Sequence, residues 1–182
     1  MEKIIVTIGM VGAGRAAELH MEAYQRVKDI QPRYKMIVAN HISSAEKAKE
    51  IYGFEQVGNT FEDLIADDEI QVIDICSPPY THEEMIIKAL EAGKNVICEK
   101  PLAGYFGKEG DLKPIGNNIK KRQMYQDLLV SMEKIKSVVD KSTAKFMYAE
   151  NFIYAPAIQK MAEIIQKKKS HILCMKGEES LK

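Results

Sequence analysis

The chain has no excess charge of either sign: its 182 residues hold 26 Lys plus Arg against 26 Asp plus Glu, a formal net charge of +0. Nucleic acid is therefore not an expected partner, because a polyanion would find no basic surplus to meet. Nor is there an unbroken apolar run of the roughly 20 residues a membrane helix requires, so no membrane partner is expected either. Cysteine is scarce, with Cys76, Cys98 and Cys174 widely spaced and no Cys-x-x-Cys pair to invite zinc or thiol exchange. No metal site is expected, and the three thiols, each inside an apolar run, read as reduced core residues of a cytoplasmic protein. The apolar stretch from Ile4 to Val11 leads into Gly12 and an amphipathic segment, not into a small-residue cleavage site, which argues against secretion. Repeats and low-complexity tracts are absent as well.

What is present is a steady alternation of strand-length apolar runs with helical patterns, which predicts an α/β fold with a doubly wound parallel sheet. Strands are expected at Lys3 to Met10, Met36 to Asn40, weakly at Glu55 to Val57, then at Gln71 to Cys76, Asn95 to Cys98 and Lys145 to Tyr148. Helices are expected from Arg15 to Asp29, where Ala16, Leu19, Ala23 and Val27 share one face, and from Ser44 to Tyr52, closed by Gly53. Thr60 with Asp63, and Thr81 with Glu84, have the spacing of capping boxes that would open two further helices, the second running to Ala92. Residues 104–119 break the rhythm with four glycines, one proline and two asparagines, the composition of an exposed loop or inserted lobe. A long helix from Lys120 to Lys141, a helix after Pro156 and a strand from His171 to Met175 complete the pattern.

The most informative string is Gly12-Ala13-Gly14-Arg15-Ala16-Ala17, a G-x-G-x-x-A turn between the first strand and the first helix. Gly12 permits a tight turn, Gly14 lets the backbone approach a pyrophosphate, and Ala17 allows close helix packing. The helix start would offer unpaired N–H groups to that anion. A glycine-rich turn with no ligand is the competing reading. An acid about 20 residues further on would grip the ribose of NAD, yet the second strand ends in Asn40-His41-Ile42-Ser43-Ser44 with no carboxylate before Glu46. Ser43, Ser44 and Lys47 could instead contact a 2'-phosphate, which favours NADP slightly over NAD. They would also serve simply to start the second helix. Two further segments, Cys76 to His82 and Cys98 to Gly104, follow strands and so fall at the carboxyl edge where such sheets bind ligands. Lys100, held extended before Pro101, could point into that crevice and trade protons with a substrate hydroxyl, although a loop lysine is commonly just solvated.

Taken in order, the glycine turn, Pro78-Pro79-Tyr80-Thr81-His82 and the run from Ala92 through Glu99-Lys100-Pro101 to Ala103 resemble the Gfo/Idh/MocA oxidoreductases, over residues 1–165. This is the family of glucose-fructose oxidoreductase and inositol dehydrogenase. The resemblance implies a Rossmann-type NAD(P)-binding domain over residues 1–149, with residues 150–182 only the beginning of a second α+β domain. It implies that Lys100 lies beside nicotinamide and substrate hydroxyl as the catalytic residue, that Glu99 lies nearby, and that a cis bond precedes Pro101. Ser77, Pro78 and His82 would line the ribose and nicotinamide side, and Gly12, Ala13, Gly14, Arg15 and Ala16 the pyrophosphate. His20, in the family's position after the glycine turn, is expected to pack. The implied substrate is a sugar, cyclitol or related hydroxy compound, and the implied oligomer would form through the second domain, which needs on the order of 150 more residues. The alternatives are a binding module or truncated relic that holds NAD(P) without turnover, and an interaction protein that keeps only the scaffold.

Overall fold

A computed structural model describes residues 3–169 and 171–174. The chain divides after Ala149 into two compact units. The first alternates strand and helix: β1 (Ile4–Val11), α1 (Arg15–Tyr24), β2 (Ile30–Val38), α2 (Ile42–Tyr52), β3 (Gln56–Val57), α3 (Phe61–Ala66), β4 (Val72–Ile75), α4 (His82–Glu91), β5 (Asn95–Glu99), α5 (Ile115–Asn118), α6 (Lys121–Lys141) and β6 (Phe146–Ala149). Its strands form one sheet in the order β3-β2-β1-β4-β5-β6. Every neighbouring pair is parallel. This is the Rossmann-type doubly wound sheet expected. The order reverses at β1, which leaves a crevice beyond the carboxyl ends of β1 and β4.

Apolar side chains seal the sheet on both faces. Met10, Ala17, Met21, Ile37, Ala45 and Phe54 join α1 and α2 to one face. Leu64, Ile73, Ile86, Leu90, Val96 and Ile135 join α3, α4 and α6 to the other. Ile73 is wholly buried at the centre of this second layer. Ile73→Val, which removes one methylene and leaves a small void, is expected to lower stability by about 0.5–1.5 kcal/mol, to be read as a lower midpoint in urea denaturation with an unchanged slope.

Several local expectations need correction. β2 begins at Ile30, six residues before the predicted start at Met36. Pro32 pairs with Val6 on one side, while β3 covers only Met36 and Ile37 on the other. The first half of β2 is therefore an edge, where a proline without N–H is tolerated. α1 ends at Tyr24, not Asp29. The Thr60–Asp63 box forms, with the Asp63 carboxylate accepting the N–H groups of Asn59 and Thr60 at 2.7 and 3.0 Å; these bonds hold its pKa below the usual aspartate value. The Thr81–Glu84 box does not form, because a 3-10 turn over Pro79–Thr81 runs straight into α4 and leaves Thr81 helical. Its hydroxyl donates instead to the Pro78 carbonyl at 2.8 Å.

The second unit contains a 3-10 turn at Asn151–Tyr154 and α7 (Pro156–Lys168), with Pro156 at the first helical position, where an N–H would have no partner. Of the strand expected over 171–175, the described residues 171–174 have no regular structure, and Met175 lies outside the described residues. Cys76 and Cys98 are core thiols as expected, whereas Cys174 is exposed. Burial pushes the Cys98 thiol up to about 12 and raises that of Cys76 as well, so both stay protonated at neutral pH. No described helix is long and apolar enough to cross a membrane.

Candidate functional site

The site grows from the point where β1 ends. Gly12 turns the chain with φ +103, a conformation that L side chains rarely adopt. Its N–H donates to the Val38 carbonyl at 2.8 Å, and the Cys76 N–H donates to the Val11 carbonyl at 2.8 Å. The loops that follow β1, β2 and β4 are thus laced together around one glycine. A Cβ on Gly12 would lie 2.5 Å from the Cys76 carbonyl oxygen. Gly14 differs: its backbone is extended, and a Cβ there would meet nothing within 4 Å.

Gly14 is also the N-cap of α1, and no side chain among the described residues caps that helix. Its first-turn N–H groups therefore face the crevice with the positive end of the helix dipole, a ready anion seat. Arg15 does not reach toward that seat; its guanidinium pairs with Glu18 on its own helix at 2.8 Å. Ala16 packs into the α1 layer, and Ala17 is buried against the sheet.

In front of this helix start lies a cleft of about 690 Å³, within the size of small-molecule sites. Of the expected residues, Gly12, Ala13, Gly14, Ser44, Ser77 and Pro78 line it; Arg15, Ala16, Ser43, His82, Glu99 and Lys100 do not. The cleft also recruits Asn40 and His41 from the end of β2, Asn59 and Thr60 after β3, and Tyr80 with Thr81. Asn59 carries no motif of its own, and Thr60 only the capping box that opens α3. Their signal was positional, since they follow a strand and so reach the same carboxyl edge. Among the described residues, no carboxylate lines the cleft.

A second group of residues surrounds Lys100 at the end of β5. The Lys100–Pro101 bond is cis. Lys100 is exposed and forms no ion pair among the described residues. Its N–H donates to the Glu99 carboxylate at 3.0 Å. His82 is completely buried. Its ring nitrogens lie 3.0 Å from the Pro101 carbonyl oxygen and 2.9 Å from the Ser77 carbonyl oxygen. It ties the loop after β4 to the loop after β5 from below, and so shapes the edge without facing the cleft. His20, expected only to pack, lies between Asp74 and Glu99. The structure thus brings together a cleft of small-molecule size at an uncapped helix start and, on the neighbouring strand end, Lys100 beside Glu99.

The family model described as the oxidoreductase family with an NAD-binding Rossmann fold matches residues 6–113. Levoglucosan dehydrogenase of Pseudarthrobacter phenanthrenivorans is 35% identical over 104 residues, 54% of this chain and 27% of that enzyme. Myo-inositol 2-dehydrogenase of Thermotoga maritima is 31% identical over 101 residues, 53% of this chain and 28% of that enzyme. Among solved structures, levoglucosan dehydrogenase in complex with NADH and L-sorbose superposes with a TM-score of 0.72 at 25% identity, covering 90% of this chain and 39% of that one. The chain therefore spans well under half the length of these relatives.

Proposed function

This chain belongs to the Gfo/Idh/MocA oxidoreductases, and from that premise we propose that its cleft binds NAD or NADP and that Lys100 serves hydride-transfer chemistry on a sugar, cyclitol or related polyol. The observation that carries the reading is the uncapped start of α1 behind Gly12 and Gly14, opening on a cleft at the reversal point of the sheet. A pyrophosphate there would accept from the first-turn N–H groups, with Gly14 giving it room. Asn40, His41 and Ser44 would face the adenosine ribose, and Ser77 and Pro78 the nicotinamide half. The coenzyme, when bound, supplies the hydride acceptor. Lys100 would take the proton of the substrate hydroxyl as its carbon gives up hydride, and return that proton to solvent. The names of the relatives, a levoglucosan and an inositol dehydrogenase, support a polyhydroxylated ring as the substrate class.

A second reading, an NAD(P)-binding module without turnover, draws on one observation: Lys100 stands exposed, with no ion-pair partner among the described residues to tune it. Both readings require coenzyme binding, so calorimetric titration with NAD⁺ and NADP⁺ tests them together, and absence of binding to either would remove both. NADP⁺ is expected to bind at least as well as NAD⁺, because no carboxylate faces the ribose position; a tenfold preference for NAD⁺ would reverse that expectation. Asn40→Asp places a carboxylate at the end of β2 and should turn the preference toward NAD⁺ by about fivefold, the effect of ~1 kcal/mol of repulsion between exposed charges.

A further inference from the structure

The cleft leaves one buried ionic cluster unexplained. His20 stands in the second turn of α1 with Nδ1 at 3.0 and 2.9 Å from the two carboxylate oxygens of Asp74. Its Nε2 lies 3.2 Å from Glu99 Oε1. Asp74, on β4, is fully buried and also accepts the Tyr24 hydroxyl at 2.6 Å. The Cys76 thiol approaches His20 Nδ1 at 3.5 Å. None of His20, Asp74, Tyr24 and Glu99 lines the cleft, so nucleotide contact does not account for them.

Carboxylates facing both ring nitrogens call for an N–H on each, which is the imidazolium. Burial works against that charge, but the hydrogen bonds and charges of Asp74 and Glu99 outweigh it and raise the His20 pKa to about 9. A buried carboxylate requires such a partner, and His20 supplies it to Asp74. The contact to Glu99 is not needed for that purpose. It has a different consequence, because the other oxygen of Glu99 accepts the Lys100 N–H at 3.0 Å. A continuous polar path therefore runs from β4 and the helix that seats the anion, through His20 and Glu99, to the backbone of Lys100.

Building on the reading of Lys100 as the working residue, we infer that His20 is a positioning residue: by fixing the Glu99 carboxylate it sets the Lys100 corner relative to α1. The groups facing His20 are Asp74 from β4, Glu99 from β5, and Cys76 beyond β4, with Tyr24 of its own helix on the far side of Asp74. Its folded pKa is raised above the ordinary 6.5. The contact therefore contributes fully below about pH 6.5 and is lost as pH rises through about 9. Above that, Glu99 loses its charged partner and the Lys100 N–H loses a fixed acceptor.

The test is NMR of the uniformly ¹³C,¹⁵N-labelled chain between pH 6 and 10. The His20 ring is followed directly, and the Lys100 amide nitrogen through the Glu99 carbonyl carbon, so that proton exchange with water does not interfere. The Lys100 nitrogen is expected to shift with the midpoint of the His20 ring, near pH 9, and to lie flat over that range in His20→Gln. A Lys100 signal that stays still while His20 titrates overturns the inference, as does a His20→Gln chain in which Lys100 still moves near pH 9. Should His20→Gln fail to fold, the titration of the unsubstituted chain decides alone. Coenzyme titrations on the same sample separate the two claims: linked titration without NAD(P) binding sinks the proposed function and leaves the positioning role standing, and binding without linkage does the reverse.

Discussion

Replacing Gly12 with alanine is expected to destabilise the chain by about 2–6 kcal/mol, whereas replacing Gly14 with the larger valine should cost only the ~1 kcal/mol of a poorer N-cap and abolish most coenzyme binding. The first figure combines about 1–3 kcal/mol for forcing a side chain into a positive-φ conformation with about 1–3 kcal/mol for overpacking. Both terms apply at Gly12, where φ is +103 and a Cβ would lie 2.5 Å from the Cys76 carbonyl oxygen and 2.6 Å from its carbon. These are backbone atoms and cannot rotate away. Relief would require parting the loops after β1 and β4, which the Cys76 to Val11 hydrogen bond holds together, or pulling Gly12 off its bond to Val38 at the end of β2.

Gly14 has neither constraint. Its φ of −100 suits any residue, and the space a Cβ would enter is open. A valine there projects into the path of a pyrophosphate approaching the start of α1, so affinity should fall at least tenfold, or about 1.4 kcal/mol. Thermal denaturation and calorimetry on the two variants read these outcomes separately. A Gly14→Val chain that binds NAD(P) as well as the unsubstituted chain would remove the coenzyme site from this turn. A Gly12→Ala chain of ordinary stability would mean that the close approach of the two loops is not what makes glycine necessary there.

The contrast explains what the sequence discloses. A G-x-G-x-x-A string is legible because its constraints are local: a turn, an open helix start and a small residue, Ala17, packed under the helix, all within six positions. β1, β4 and β5 were legible for a related reason, since central parallel strands are covered on both faces and read as mostly apolar runs, broken in β4 only by Asp74 and bounded in β5 by Asn95 and Glu99. The first half of β2 was not, because at the sheet edge it carries Pro32, Arg33 and Lys35. Arg33 and Lys35 bind Glu55 and Glu69 there, partners with no fixed spacing from them.

The polar framework beneath the site was hidden for the same reason. His20 finds Asp74 at a separation of 54 positions and Glu99 at 79. His82 reaches a carbonyl 19 positions away. No periodicity marks such contacts, and a histidine on a helix looks alike whether it packs, binds or bridges. Short-range chemistry marks the glycine turn and the resemblance to a family marks Lys100, while the contacts of His20 and His82 became visible only once the sheet had brought β4 and β5 beside α1.

Lys100→Met, in any form of the protein that turns over a polyol, is expected to lower turnover by about 10²–10⁴, the usual contribution of a general acid–base group, with coenzyme affinity nearly unchanged. The two effects separate because Lys100 lies outside the cleft lining that would hold the nucleotide, while its corner stands at the carboxyl edge of β5, one strand from the loop that carries Ser77 and Pro78. Methionine keeps the length of the apolar stem and removes only the ammonium. The Glu99 contact to the backbone N–H of position 100 survives, since it does not involve the side chain. If Lys100 instead anchored the coenzyme, the same substitution would weaken binding and spare turnover at saturating coenzyme. Unchanged turnover in this variant, or a loss confined to coenzyme affinity, would show that the proton leaves the substrate by a route that does not pass through Lys100.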